Sequence, residues 1–207
     1  MPYPEGHHRE VKKKIIESAR RLFNRNGFER TSIAQIMRGA GLTRGGFYFY
    51  FGKKSDLYRE VMNCFFTDPE WKNRWDGVDV DLSATDAGAQ VVRAYLSEQH
   101  LGEVENACPM VALPTDVARS DQAARQAFET AFCAMVRLLE RSRGGQQEPS
   151  RAHAQATAAL CIGGMVVARA LVDRGRADEL RRSCLAVALE LGDWTRPKNG
   201  HRVGGQL

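Results

Sequence analysis

The chain has 207 residues, 43% hydrophobic and 27% charged, with a formal charge of +5. That apolar share supports a packed core in one domain or two small ones and excludes a disordered chain. No apolar run approaches the roughly 18–20 residues a bilayer span needs, and the basic start MPYPEGHHREVKKK lacks a signal-peptide core, so the expectation is a soluble, cytoplasmic protein with no membrane partner.

In chain order, His7, His8 and Arg9 read as a disordered basic start, with an arm over nucleic acid as the alternative. Val11, Ile15, Ala19 and Leu22 then recur at helical spacing, widened by Ile16 and Phe23, with Lys12, Lys13, Lys14, Arg20, Arg21 and Arg25 mostly on the polar face. Asn26-Gly27 ends this helix, because glycine suits the left-handed position that follows one. Thr31 or Ser32 caps a second helix, and Ser32 and Gln35 have capping-box spacing. Ile33, Ile36, Met37 and Ala40 face inward, and Gly39 to Leu42 form a tight turn. Thr43 caps a third helix over 43–50 whose first turn holds Gly45 and Gly46, poor helix formers that suggest close approach of the backbone to a neighbour. A fourth helix runs from Lys54 to about Phe66, and residues 67–86 read as a loop.

Beyond the loop, a single helix is predicted over Ala87–Leu101. Pro109 and Pro114 limit any helix between 103 and 114 to short pieces. A long helix spans Asp121–Arg143, with Phe128, Phe132, Met135 and Leu139 on one stripe. Ser150 caps a helix over Arg151–Val172, and another covers Asp178–Leu191. The fold class is all-α: an N-terminal three-helix head with a helix-turn-helix (residues 1–57), a helical body (58–192) and a flexible tail (193–207).

Charge follows that division. Residues 1–60 hold 13 Lys and Arg against 6 Asp and Glu, leaving 17 against 19 for the rest. A cationic head on a nearly neutral body is the footprint of a phosphate-binding module. The five cysteines are odd in number and scattered, with no C-x-x-C pair and no His at ligand spacing, so neither a disulfide framework nor a metal site is expected. No cofactor cradle and no Cys–His pairing is evident, so a thiol-dependent enzyme is the unfavoured alternative class.

The head resembles the TetR family of bacterial transcriptional repressors. The family pattern is matched by Ala19, Leu22, Phe23, Gly27, Phe28, Thr31 and Ser32, then Ile36, Ala40, Gly41, Leu42 and Thr43, then Gly45, Tyr48, Phe51, Lys54 and Leu57. It departs at Met37, Tyr50, Lys53 and Ser55, where the family more often has Ala, His, a capping residue and an acid. The resemblance implies a homodimer on a palindromic double-stranded operator, released when a small-molecule inducer binds the C-terminal domain.

Chemistry names the DNA contacts. The Thr43 hydroxyl and nearby backbone N–H groups meet a phosphate at a helix start. Tyr48 and Tyr50 offer phenols, Arg44 suits two-point reading of guanine, and Gly45 lets the backbone approach. Lys53 and Lys54 act on phosphate, with Thr31 and Ser32 touching it from the second helix. Phe47, Phe49 and Phe51 are read as packing residues.

For the body, the resemblance implies a ligand cavity and a dimer interface. Phe65, Phe66, Tyr95, Cys108, Met110, Phe128, Phe132 and Met165 are candidate ligand contacts. Ala154, Ala158, Cys161, Ile162, Met165, Leu180, Cys184, Val187 and Leu191 are candidate dimer contacts, since a helix apolar on several faces must be buried. Cys108, just before Pro109 at a helix start, offers a redox- or electrophile-sensing alternative.

Overall fold

The computed structural model describes residues 5–67, 80–142 and 150–195, and all regular structure among them is helical. Helix α1 (Glu5–Asn26) starts before its apolar stripe, so His7, His8 and Arg9 are helical rather than a disordered arm. Its buried stripe, Ile15, Ala19 and Phe23, faces the core, and Gly27 ends it with φ +84°. Helix α2 (Ile33–Gly39) opens on the expected capping box: Ser32 Oγ accepts from Gln35 N, and the Gln35 side chain accepts from Ser32 N. It closes with Gly41 at φ +72°, where Leu42 N donates to Met37 O (2.8 Å) and Gly41 N to Arg38 O (3.0 Å). Those two bonds are a Schellman closure, and they fix the turn into the next element.

That element is shorter than predicted. One turn of 3₁₀ helix, Arg44–Gly46, feeds helix α3 (Phe47–Tyr50). The two glycines weaken an α-helical first turn, and Thr43 stands at the cap position without a side-chain cap bond. Phe47 and Phe51 anchor the rod in the core. Helix α4 (Lys54–Thr67) leaves the head and buries Leu57, Tyr58, Val61 and Met62.

The predicted helix over 87–101 is two: α5 (Ala87–Tyr95) and α6 (Glu98–Gly102). Ser97 breaks it, its hydroxyl accepting from His100 N and so starting α6 afresh. Helices α7 (Pro109–Ala112) and α8 (Pro114–Ala118) each begin on a proline, where the missing N–H has no intrahelical partner to lose. Asp121 caps α9 (Gln122–Arg141) by accepting from Ala124 N. Helix α10 (Arg151–Ala170) and helix α11 (Arg174–Leu191) form a hairpin. Ser150 precedes α10 without a side-chain cap bond, whereas Asp173 caps α11, which begins at Arg174, four residues ahead of the predicted Asp178. At Gly164 the hairpin closes so tightly that a Cβ would lie 2.7 Å from Cys184 Sγ.

Residues 193–195, expected within the flexible tail, are placed on the body. Trp194 packs against the core and donates its indole N–H to Ser142 O (2.6 Å); residues 196–207 lie outside the described residues. One hydrophobic core runs from Phe23 and Phe47 through Met62 to Met110 and Met165, so head and body share it.

Candidate nucleic-acid interface

The rod over residues 43–50 presents Thr43, Arg44, Gly45, Tyr48 and Phe49 to solvent. Tyr48 is 60% exposed and Phe49 71%. Exposure of Phe49 corrects the packing role expected for it: Phe47 and Phe51 point inward, and the short α3 turns Phe49 away from them. Its ring stacks on His8 of α1, with centroids 5.3 Å apart and planes at 24°. The Tyr50 hydroxyl, half-buried, stands 3.5 Å from His8 Nδ1. The first turns of α1 and the end of α3 therefore form one aromatic edge. Open space faces Gly45, while a Cβ at Gly46 would touch Met37 at 3.6 Å, so the second glycine packs against α2.

Two expected phosphate contacts are placed otherwise. Thr31 is fully buried, and its hydroxyl donates within the head, 2.7 Å from Gly27 O and 3.2 Å from Leu22 O. Lys54 turns inward: its Nζ donates to Phe28 O (2.8 Å) and Thr31 O (3.3 Å) and sits 4.3 Å above the Phe28 ring. The carbonyls of the 28–31 turn capture the ammonium. Ser32 is exposed but its oxygen is engaged in the capping box. Lys53 is exposed and makes only a loose 3.4 Å pair with Asp121, whose carboxylate is held below its usual range first by the Ala124 N–H it accepts. Lys53 remains available to a phosphate; Lys54 braces the turn.

The joint between head and body carries polar contacts that spacing did not reveal. Arg20, read as a polar-face residue, is buried, with Nη1 donating to Glu105 O and Nη2 to Asn106 Oδ1, both 3.3 Å. Asn24 donates to Glu105 O and Ala107 O, and Phe28 N to Asp116 Oδ2 (2.9 Å). Tyr58 of α4 lies edge-on to Phe28 (5.4 Å) and Phe23 (6.0 Å), which ties the first turn of the body to the aromatic centre of the head.

In the body, Tyr95, Cys108, Met110 and Met165 are buried, and Phe128 and Phe132 half-buried. The side chains of Phe65 and Phe66 lie outside the described residues. Cys108 precedes α7 as expected, but it is completely covered. His100, fully buried, bonds Tyr95 O through Nδ1 and accepts from Cys108 N through Nε2 (3.3 Å), which fixes a neutral ring with its proton on Nδ1. Burial pushes its pKa down to about 3. Among the dimer candidates, Ala154, Ala158, Cys161, Ile162, Met165 and Cys184 are buried within the protomer, Leu180 and Leu191 are half-buried, and Val187 is exposed. The buried six pack α10 and α11 into their own subunit, so they are no surface for a partner. The outward face of the hairpin instead carries Val166, Val167, Leu171, Val172 and Val187. No group of three or more His, Cys, Asp or Glu able to hold a metal occurs among the described residues, and no described helix is long and apolar enough to cross a membrane.

The geometry can be set beside known proteins. Residues 15–61 match the family model for bacterial regulatory proteins of the tetR family. The HTH-type transcriptional regulator AcrR of Shigella flexneri is 42% identical over 52 residues, which is 25% of this chain and 24% of that protein. The matched stretch thus spans about a quarter of the curated relative. Solved structures extend the likeness in fold alone. The reduced form of Escherichia coli NemR has a TM-score of 0.66 at 18% identity, covering 88% of this chain and 97% of that one. AibR in complex with isovaleryl coenzyme A and operator DNA has a TM-score of 0.56 at 15% identity, covering 86% and 97%. Residues 15–61 are thus matched in sequence to the tetR family of bacterial regulatory proteins, and the rest of the chain is similar to these solved structures in fold.

Proposed function

We propose that this protein is a cytoplasmic transcriptional regulator, acting as a repressor, whose dimer grips a palindromic operator and lets go when a small molecule binds the body. Residues 1–57 are the DNA-binding unit and 58–192 the effector and dimerisation unit. The observation that carries the reading is the rod over 43–50. It has an uncapped Thr43 hydroxyl, exposed Arg44 and Tyr48, and an exposed Lys53 just beyond, all supported by the buried Phe47 and Phe51. Exposed donors on a short helix pinned from behind suit a major groove, with Thr43 and Lys53 on phosphates and Arg44 on a base edge. Thr31 and Lys54 hold that rod rather than touch DNA. A regulator of this design needs no catalytic group.

Release requires that the effector favour the state that does not bind DNA. AibR, solved with both an acyl coenzyme A and operator DNA, is a precedent in fold for two ligands on one chain. The Cys108 sensor is the second reading: Cys108 is completely covered, so an electrophile, like any effector of this part of the body, reaches it only when the helices open. Oxidant-driven release that persists in Cys108→Ser would end it.

The test is selection of bound sequences from random duplex DNA. The expected result is enrichment of an inverted repeat with half-sites roughly 34–36 Å apart or a multiple of it, bound with steep salt dependence. Absence of any enriched repeat would overturn the proposal.

A further inference from the structure

Three helices of the body bring a buried polar atom to the neighbourhood of Cys108. The Tyr58 hydroxyl comes from α4, the Tyr95 hydroxyl from α5 and Arg169 Nε from α10, and none of the three has a hydrogen-bond partner of ordinary strength. His100 joins two of them to Cys108: its ring lies edge-on to Tyr95 (4.9 Å), its carbonyl accepts from Arg169 and its Nε2 from Cys108 N (3.3 Å), and Tyr58 is in electrostatic reach of Cys108. Its thiol meets the Tyr95 hydroxyl, but sulfur is too weak an acceptor to satisfy a buried phenol. Arg169 spends Nη2 on the carbonyls of His100 and Glu103. No carboxylate among the described residues pairs with it. His100, kept neutral by burial, adds no second positive charge. Buried donors without acceptors, beside a half-buried guanidinium without a counter-charge, ask for one chemistry: a compact anion rich in acceptor oxygens.

We propose that Tyr58, Tyr95 and Arg169 are the polar end of the effector site, and that they receive the carboxylate of a small molecule with an apolar body. The inference rests on reading the body as an effector domain. Fully buried Met110, two residues past Cys108, and Met165, one turn before Arg169, supply adaptable apolar walls for the rest of the molecule. The site is placed to act on the head. Tyr58 lies one turn after Lys54, its ring touches Phe23 and Phe28, and its phenol is in electrostatic reach of Cys108. The segment from His100 to Ala107 is held by Arg169 on the body side and by Arg20 and Asn24 of α1 on the head side. A carboxylate that draws Arg169 and Tyr58 toward itself therefore pulls on two of the ties between body and DNA rod.

The experiment uses the full-length protein without DNA, titrated with straight-chain carboxylates from butanoate to decanoate and with the primary alcohols of equal length. Thermal midpoint and calorimetry are the readouts. At least one carboxylate should bind saturably where its alcohol does not. Arg169→Gln should weaken that binding at least tenfold, and Tyr58→Phe and Tyr95→Phe several-fold each. The two phenylalanine variants keep the rings, so they decide the matter if Arg169→Gln does not fold. They should also leave the free protein's midpoint unchanged or higher, which loss of a structural hydrogen bond would not. Carboxylates that bind no better than alcohols, or equally well to all three variants, overturn the proposal. Binding to a duplex selected from random DNA is measured separately. Duplex binding without carboxylate binding removes this site alone, and failure to bind any duplex removes the function on which it rests.

Discussion

Lys53 and Lys54 are neighbours in sequence and opposites in environment, and the difference gives separable predictions. Lys53 is exposed, so Lys53→Ala should leave the melting midpoint unchanged and lower the slope of log K against log salt by about 0.9, the share of one phosphate contact. Lys54 holds two carbonyls of the turn before α2. Lys54→Met should cost about 1.5–3 kcal/mol of stability in urea unfolding, as charged hydrogen bonds do, and weaken DNA binding through misplacement of the rod. A Lys54→Met protein as stable as wild type would return that lysine to the phosphate role. His100 sets a pH dependence. In the folded chain burial depresses its pKa to about 3, whereas the unfolded chain takes up a proton near its ordinary value of 6.5. The unfolded state then binds more protons between those values. Stability is present in full above about 6.5 and is lost as pH falls, by up to about 1.4 kcal/mol per pH unit. Urea midpoints measured from pH 7 to 4.5 should fall more steeply for wild type than for His100→Gln; parallel curves would refute the assignment.

At the scale of elements, the turns that close α1 and α2 rest on glycines in the left-handed region, and they differ in what surrounds them. A Cβ at Gly41 meets nothing within 4 Å, so Gly41→Ala should cost only the left-handed backbone penalty, about 1–2 kcal/mol. At Gly27 the same Cβ would lie 2.4 Å from Asp116 Oδ2, the oxygen that accepts from Phe28 N. Gly27→Ala should therefore be clearly the worse of the two in thermal unfolding, because it also breaks a tie between head and body. Both turns were legible in the sequence, as were the capping box of Ser32 and Gln35 and the helix start at Pro109, since each depends on residues within one turn of one another. What was not legible depends on long-range partners. Thr31 and Lys54 look like surface donors until the carbonyls of Gly27 and Phe28 fold back on them. The buried role of Arg20 needs residues 105 and 106, and the inward face of α10 is chosen by α9 and α11, not by its own composition, which is apolar all round. The split at Ser97 escaped because apolar periodicity continues across it.

At the scale of the molecule, a regulator reading an inverted repeat needs two heads at fixed spacing, and the hairpin of α10 and α11 has a surface suited to set it. Along α10 the solvent side runs through Ala156, Ala159, Gly163, Val166, Val167 and Ala170, and along α11 Ser183, Ala186 and Val187 are exposed beside the charged Arg182 and Glu190. Val167 is 50% exposed and Val187 46%. Apolar faces of this kind on one protomer mark contact surfaces, and small side chains let helices of two copies approach closely. On the proposed two-fold pairing, each of these residues meets a hairpin of the second copy. Val167→Glu places a charge in that contact while leaving the protomer's own core, which lies on the opposite face of α10, untouched. Sedimentation should then report a monomer, with helical content and melting midpoint close to those of wild type. Binding to a single half-site should be preserved, because the rod over 43–50 is intact. Binding to the full repeat should fall by about 100-fold or more, since the second head no longer gains from the first being bound. A Val167→Glu protein that remains dimeric and grips the full repeat as before would place the partner surface elsewhere on the chain.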